Sequence, residues 1–242
     1  MWHAKRTGGY TQSSQEFVDN VWEAYYLLND SNNLSGTAWT LEAICGMLGN
    51  AYAESGMNPW RYNGTAAYGL VQFNPPSYYI GGAGVSYNGY APSLDPTLPE
   101  GDFSDGANAS DGRAQLLVID NPSGTKYSSS GIRWELMEQL DWTLQEWNNI
   151  QSFKLCDSLE EATQAFLLFY EFPFNPPYFA EDVRIEYLRR KPYADKVYEV
   201  LTGTPPVPPT PTRHKGMPLY FYMGKKFKQK KGIRIWYEQK MN

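Results

Sequence analysis

The chain is poor in the residues that most hydrolytic and metal chemistries need. It has two cysteines, Cys45 and Cys156, and two histidines, His3 and His214. Two cysteines exclude a disulfide framework and a four-cysteine zinc site, leaving room for one bridge. Cys45 lies in an apolar helical run, which favours a buried thiol. Neither histidine belongs to a zinc-hydrolase spacing, and both lie near the chain ends, so a histidine-based nucleophilic triad is a poor fit. No metal and no cofactor is expected. Charged residues make up only 19%. No apolar run is long enough to span a membrane. The opening Met1-Trp2-His3-Ala4-Lys5-Arg6 lacks the apolar segment of an export signal. The expectation is a protein without a membrane span, delivered by other means to any extracellular target.

Aromatic residues, in contrast, are abundant. The 19 Tyr, 11 Phe and 8 Trp amount to 16% of the chain. Beyond an ordinary interior, that excess suggests ring surfaces for stacking on sugars. Charge is unevenly distributed. Residues 1–203 carry 12 basic and 25 acidic side chains, and residues 204–242 carry 9 basic and 1 acidic. The proline-rich run Thr204-Pro205-Pro206-Val207-Pro208-Pro209-Thr210-Pro211 lies at the boundary and reads as a stiff spacer. The expected organisation is an acidic domain over 1–203, a linker over 204–212 and a basic segment over 213–242.

Helical periodicity dominates the acidic part. Ser13 and Glu16 read as a capping box opening a helix with Phe17, Val21, Trp22, Tyr25 and Leu28 on its apolar face. A second helix carries Leu41, Ile44, Leu48 and Ala51, with Gly56 placed to end it. A third is expected around 132–148, a fourth capped by Ser158 and Glu161, and a fifth from about Ala180 to Val200. Residues 88–130 read as a long loop around the apolar patch Leu116-Leu117-Val118-Ile119. Its acidic string, Asp102, Asp105, Asn108 and Asp111, does not have calcium-loop spacing. In the basic segment, two β-prone runs, 219–223 and 233–237, flank a lysine-rich loop and predict a short hairpin that needs a partner to be stable.

Chemistry is most legible around Glu54, in the last turn of the second helix. Partial burial and the negative helix end both disfavour its anion, as suits a general acid. An aromatic, turn-rich stretch follows with Asn58, Trp60, Tyr62, Tyr68, Gln72 and Phe73, where Gln72 or Asn58 could bond sugar hydroxyl and acetamido groups.

Three segments together, 44–55, Gly69-Leu70-Val71-Gln72-Phe73 and Phe169-Tyr170-Glu171-Phe172-Pro173, resemble the signatures of phage tail-tip lysozymes, in the same order. The closest likeness is to the lysozyme domain of podovirus tail-knob morphogenesis proteins. The resemblance implies an α+β, predominantly helical lysozyme-like fold with a small β-sheet, to which the C-terminal hairpin is an extension. It implies a muramidase cutting the bond between N-acetylmuramic acid and N-acetylglucosamine in host peptidoglycan. Such an enzyme would sit at the virion tail tip and serve genome delivery. It also implies Glu54 as the catalytic acid. Gln72, Tyr68, Phe73, Asn58 and Tyr62 become candidate substrate-binding residues, and Glu171 a candidate second carboxylate. Phe73 stands where the family has Trp, and Phe172 where it has Arg.

No Asp or Glu occurs between Glu54 and Asp95. The strand after the acid thus offers no nearby nucleophile, and retaining, inverting and transglycosylase chemistry stay open. Expected partners are peptidoglycan and, through the basic segment, phage tail proteins; the acidic domain argues against nucleic acid. A holin-dependent endolysin and a non-catalytic tail or cell-wall-binding protein on the same scaffold are the alternatives.

Overall fold

In a computed structural model, residues 2–5, 7–34, 36–61, 67–73, 101–103, 110–121 and 127–203 are described. The chain divides into two units, 1–206 and 207–242, and every described residue lies in the first. The expected linker and basic hairpin therefore lie outside the described residues.

Among the described residues, helices predominate. α1 (Gln15–Leu28) opens at Ser14, whose hydroxyl accepts from the Phe17 amide at 3.2 Å. The cap is thus one residue later than the predicted Ser13. α1 buries Phe17, Val21, Ala24 and Leu28 at helical spacing, whereas Trp22 and Tyr25 are only half-buried.

α2 (Leu41–Ser55) is the axis of the fold. Thr40 caps it by accepting from Ala43 N at 3.2 Å. Every residue from Ala43 to Ala51 is buried, as expected of a helix enclosed on all sides. Its main neighbours are α6 (Leu159–Ala165) and the long α7 (Ala180–Thr202). Gly46 and Gly49 make these contacts close: a Cβ on either would fall 2.6 Å from Ala162 or Ala194.

The predicted 132–148 helix is shorter. α4 (Gly131–Leu140) stops where Asp141 turns left-handed at φ 61°. There Trp142 N donates back to Met137 O at 3.0 Å, a Schellman-type end. A 3-10 turn over Gln145–Trp147 and the short α5 (Ile150–Phe153) follow. Ser158 caps α6 as predicted, accepting from Glu161 N at 3.3 Å. After α6 the helix widens into a π-turn over Phe166–Glu171, closed by Phe172 at φ 42°.

The reading of 88–130 as loop needs correction. It contains β2 (Gly101–Phe103) and α3 (Ser110–Asp120), and α3 buries Leu116, Val118 and Ile119 in the core. β2 pairs antiparallel with β1 (Trp2–Ala4), Trp2 opposite Phe103, and this pair is the small sheet among the described residues. Sequence periodicity over α3 is masked by Gly112 and by the polar Arg113 and Gln115. Gly112 is needed because Trp2 packs on it, with ring atoms 2.6 Å from where a Cβ would lie.

Three buried side-chain amides hold the irregular segments. Asn20 accepts from His3 N at 2.7 Å and donates to His3 O and Met57 O. Gln115 accepts from Leu70 N at 2.6 Å and donates to Pro59 O at 2.8 Å. Asn58 is the third. Buried backbone groups without a ladder partner need such replacements. Trp39, Trp60, Tyr68 and Tyr170 are also fully buried or nearly so, and rings pack as pairs such as Phe166 on Tyr170 at 4.4 Å. Much of the aromatic excess is therefore core. Both cysteines are buried and free, which excludes a bridge between them. No helix among the described residues is long and apolar enough to cross a membrane.

Candidate functional site

Glu54 sits in the final turn of α2. Gly56 ends that helix at φ 62°, with its amide donating to Tyr52 O at 2.7 Å. A Cβ on Gly56 would meet Gly9 Cα at 2.6 Å, so both the conformation and the space require glycine. The turn presents Glu54 to a cleft of about 450 Å³ bounded by the end of α2, residues 173–178 and the first half of α7. The carboxylates on the cleft wall are Glu54, Asp182 and Glu186. Phe174 and Tyr178 supply rings, and Arg189 and Arg190 supply positive charge.

The electrostatics centre on Arg190. Its side chain is fully buried, while that of Glu54 is 20% exposed, and its Nη2 is paired with Glu54 Oε1. Nη1 donates to Asn50 O at 3.3 Å and Asn50 Oδ1 at 3.4 Å, one turn before Glu54. Nε lies 3.5 Å from Glu186 Oε2. Glu186 Oε2 also accepts from Arg189, at 2.7 Å from Nη2 and 3.1 Å from Nε. Glu54, Arg190, Glu186 and Arg189 thus form a row of alternating charge along the cleft. Glu54 is held in it as one half of an ion pair rather than as an isolated carboxyl against apolar surface.

The 169–178 segment is braced from α4. Arg133 lies with its guanidinium 4.5 Å from the centre of the Phe172 ring. Its Nη1 donates to Ser128 O at 2.7 Å and to Phe169 O. Burial pushes the Arg133 guanidinium below its ordinary range, with Tyr127 and Tyr178 opposing. An arginine thus stacks on the very residue that stands where the family motif has arginine. Phe172 in turn contacts Phe174 and Tyr178, both at 5.3 Å between ring centres. A bulky residue in the left-handed region is strained by about 1–3 kcal/mol. Here that strain, like the π-turn before it, borders the cleft.

The other residues singled out from sequence lie elsewhere. Asn58 is fully buried. It accepts from Lys5 N and Trp60 N and donates to Lys5 O at 2.7 Å and Gly8 O at 2.8 Å, so its amide pins the N-terminal segment and has no capacity for a sugar. Tyr68 and Phe73 are buried at 0% and 1% exposure, leaving no ring face for a ligand. They pair across an isolated bridge, with Tyr68 N to Phe73 O at 3.1 Å and the reverse bond at 2.7 Å. Gln72 is in the turn between them, not in a strand. It adopts φ 47°, and its Nε2 donates to Arg61 O at 2.9 Å and Gly69 O at 3.0 Å. Tyr62 lies outside the described residues. Glu171 ends the π-turn, half-buried, and is not on the wall of the Glu54 cleft.

Sequence reasoning missed Arg190, Glu186 and Asp182. One signal was available. Asp182, Glu186, Arg189 and Arg190 recur at i, i+4, i+7 and i+8, a polar stripe on one face of the last helix. Among the described residues no cluster of three or more His, Cys, Asp or Glu is arranged to hold a metal ion.

The predominantly helical frame is consistent with a lysozyme-like domain. The sequence model of the family described as phage tail lysozyme matches residues 30–201, and the chain belongs to that family. Over 63 residues it is 43% identical to morphogenesis protein 1 of Bacillus phage B103, a match covering 24% of this chain and 16% of the relative. The similarity thus spans less than a fifth of that relative's length.

Proposed function

We propose that the chain is a muramidase of the phage tail, cutting the bond between N-acetylmuramic acid and N-acetylglucosamine in host peptidoglycan so that the genome can pass the wall. The observation that carries this reading is Glu54 closing the buried helix α2 on the wall of an open cleft, in a chain of the tail lysozyme family. Phe174 and Tyr178 offer ring faces to pyranose units. Gln72 and Tyr62 are kept as groove residues from the family resemblance. The virion location and attachment through the basic 213–242 segment belong to the same proposal.

Glu54 protonates the leaving glycosidic oxygen. Substrate that displaces water from the cleft removes hydration from this carboxyl and so favours the protonated form the step uses. A second carboxylate is more readily supplied by Asp182, which shares the cleft, than by Glu171.

Digestion of purified peptidoglycan by wild type and Glu54→Gln, with mass spectrometry of the products, tests this. Reducing-end muropeptides from the wild type alone are expected. Anhydro ends would make the enzyme a transglycosylase, and release by both proteins would remove Glu54 from the chemistry. One observation favours a second reading, a glycan-binding scaffold without turnover: the Glu54 carboxylate is already engaged by a buried guanidinium. Retention on insoluble peptidoglycan with no fragment released would support it.

A further inference from the structure

Arg190 is built into the wall of the cleft. It is fully buried and belongs to two carboxylates at once, with Nη2 on Glu54 and Nε 3.5 Å from Glu186. The two contacts are unequal. The Glu54 contact is a hydrogen-bonded ion pair, whereas the Nε–H makes no hydrogen bond. A buried donor beside a carboxylate, yet not bonded to it, leaves an interaction available to tighten.

We propose that Arg190 is a shared counter-ion and a positioning residue for Glu54. It holds Glu54 while that residue is ionised and shifts its hold to Glu186 while Glu54 carries the proton. This rests on the glycan-cleavage reading above. The guanidinium stays charged throughout, and a buried charge must keep a partner. Without Glu186, protonating Glu54 would leave Arg190 with only the oxygens of Asn50. With Glu186, the charge is still balanced, and Glu54 is free to turn its proton to the substrate. In the reaction the glycosidic carbon–oxygen bond breaks with its electron pair on oxygen, which takes the proton of Glu54. Glu54, again a carboxylate, returns to Arg190. The water that adds to the anomeric carbon gives up one proton, which restores the acid.

Among the described residues, the charged and titratable groups that line the cleft together with this pair are Glu186, Arg189 and Asp182 on α7 and Tyr178 from the preceding segment. Arg189 is itself bonded to Glu186, so Glu186 keeps a cation while Arg190 is engaged with Glu54.

The test is the pH dependence of kcat/KM for glycan release by wild type, Glu186→Gln and Arg190→Met, with Tm recorded for each. Glu186→Gln keeps the shape and an acceptor but removes the charge, leaving the guanidinium charge on Glu54 alone. An acid that must hold its proton then loses it at lower pH. The alkaline limb of the profile is expected to move acidward by about half to one pH unit, a roughly three- to tenfold loss at fixed pH on that limb. Arg190→Met should move the same limb the other way in whatever fraction folds. An arginine with a structural role alone would lower Tm and overall rate and leave the limb in place. If Glu186→Gln folds, turns over and keeps the wild-type limb, the inference is overturned while the glycan-cleavage reading stands. A wild type that releases no fragments overturns both.

Discussion

Replacing Gly49 by alanine adds a single methyl group at the centre of the molecule. On the present backbone it would fall 2.6 Å from the Ala194 Cβ and N and 2.7 Å from its Cα. Two of those atoms are backbone, so no flexible side chain can move aside. To reach ordinary contact α2 and α7 must part by roughly 0.8 Å, forfeiting packing along the main interface of the fold. Overpacking costs about 1–3 kcal/mol, and because the atoms met here include backbone that cannot yield, this site falls in the upper part of that range, about 2–3 kcal/mol. The intrinsic preference of alanine over glycine within a helix returns roughly 1 kcal/mol. A net destabilisation of about 1–2 kcal/mol follows, which for a domain of this size lowers Tm by roughly 2–8 °C. Because α7 carries Arg190 opposite Glu54, the same displacement should loosen that pair and lower kcat. Thermal and urea unfolding followed by circular dichroism measure the loss. Gly131→Ala is the control, since nothing lies within 4 Å of the place its methyl group would occupy; it should be neutral or slightly stabilising. A Gly49→Ala protein as stable as wild type would refute the close-packing argument.

Lys154→Met tests the buried pair of Lys154 with Asp120, whose Nζ and Oδ1 are 2.7 Å apart at 0% and 2% exposure. Asp120 also accepts from Trp39 Nε1 at 2.9 Å. Removing the lysine should cost about 3–5 kcal/mol, and adding Asp120→Asn should recover part of it in urea unfolding; no recovery would mean the charge is not what matters. Asp19 is held below its ordinary value of 3.8, chiefly by the hydrogen bond from Gln15 and, against the opposing effect of burial, also by His3. A depressed carboxyl stabilises the fold above pH 3.8 and loses that contribution as pH falls through the folded value. Asp19→Asn should therefore be less stable than wild type near neutrality, with the two unfolding curves converging below about pH 4. Burial pushes the Cys156 thiol up to about 12 and the Cys45 thiol higher still. Neither should react with a thiol reagent in the native protein, and both should react in denaturant; a native titration showing fast modification would contradict the packing around α2 and α6.

What the sequence determined by itself is what depends on near neighbours in the chain. Ser158 caps α6 and Gly56 ends α2 because the groups they satisfy lie within four residues, so the placement of Glu54 at a helix end was readable in advance. Even the miss at Ser13 was a shift of one residue along the same turn. The course of α7 was readable for the same reason. Tertiary structure decided the rest. α3 was hidden because Gly112 and Gln115 break its periodicity, and both are there for distant contacts, with Trp2 and with Leu70 and Pro59. The end of α4 at Asp141 uses a left-handed residue that is not glycine. Asn58, Tyr68 and Phe73 have the composition of a sugar groove, but burial assigns them to the core, and composition cannot distinguish a ring that stacks on a ligand from one that fills a cavity. The partner of Glu54 is 136 residues away, on α7. No local pattern links the two: only the packing of α7 across α2, made close by Gly49, brings the guanidinium to the carboxylate.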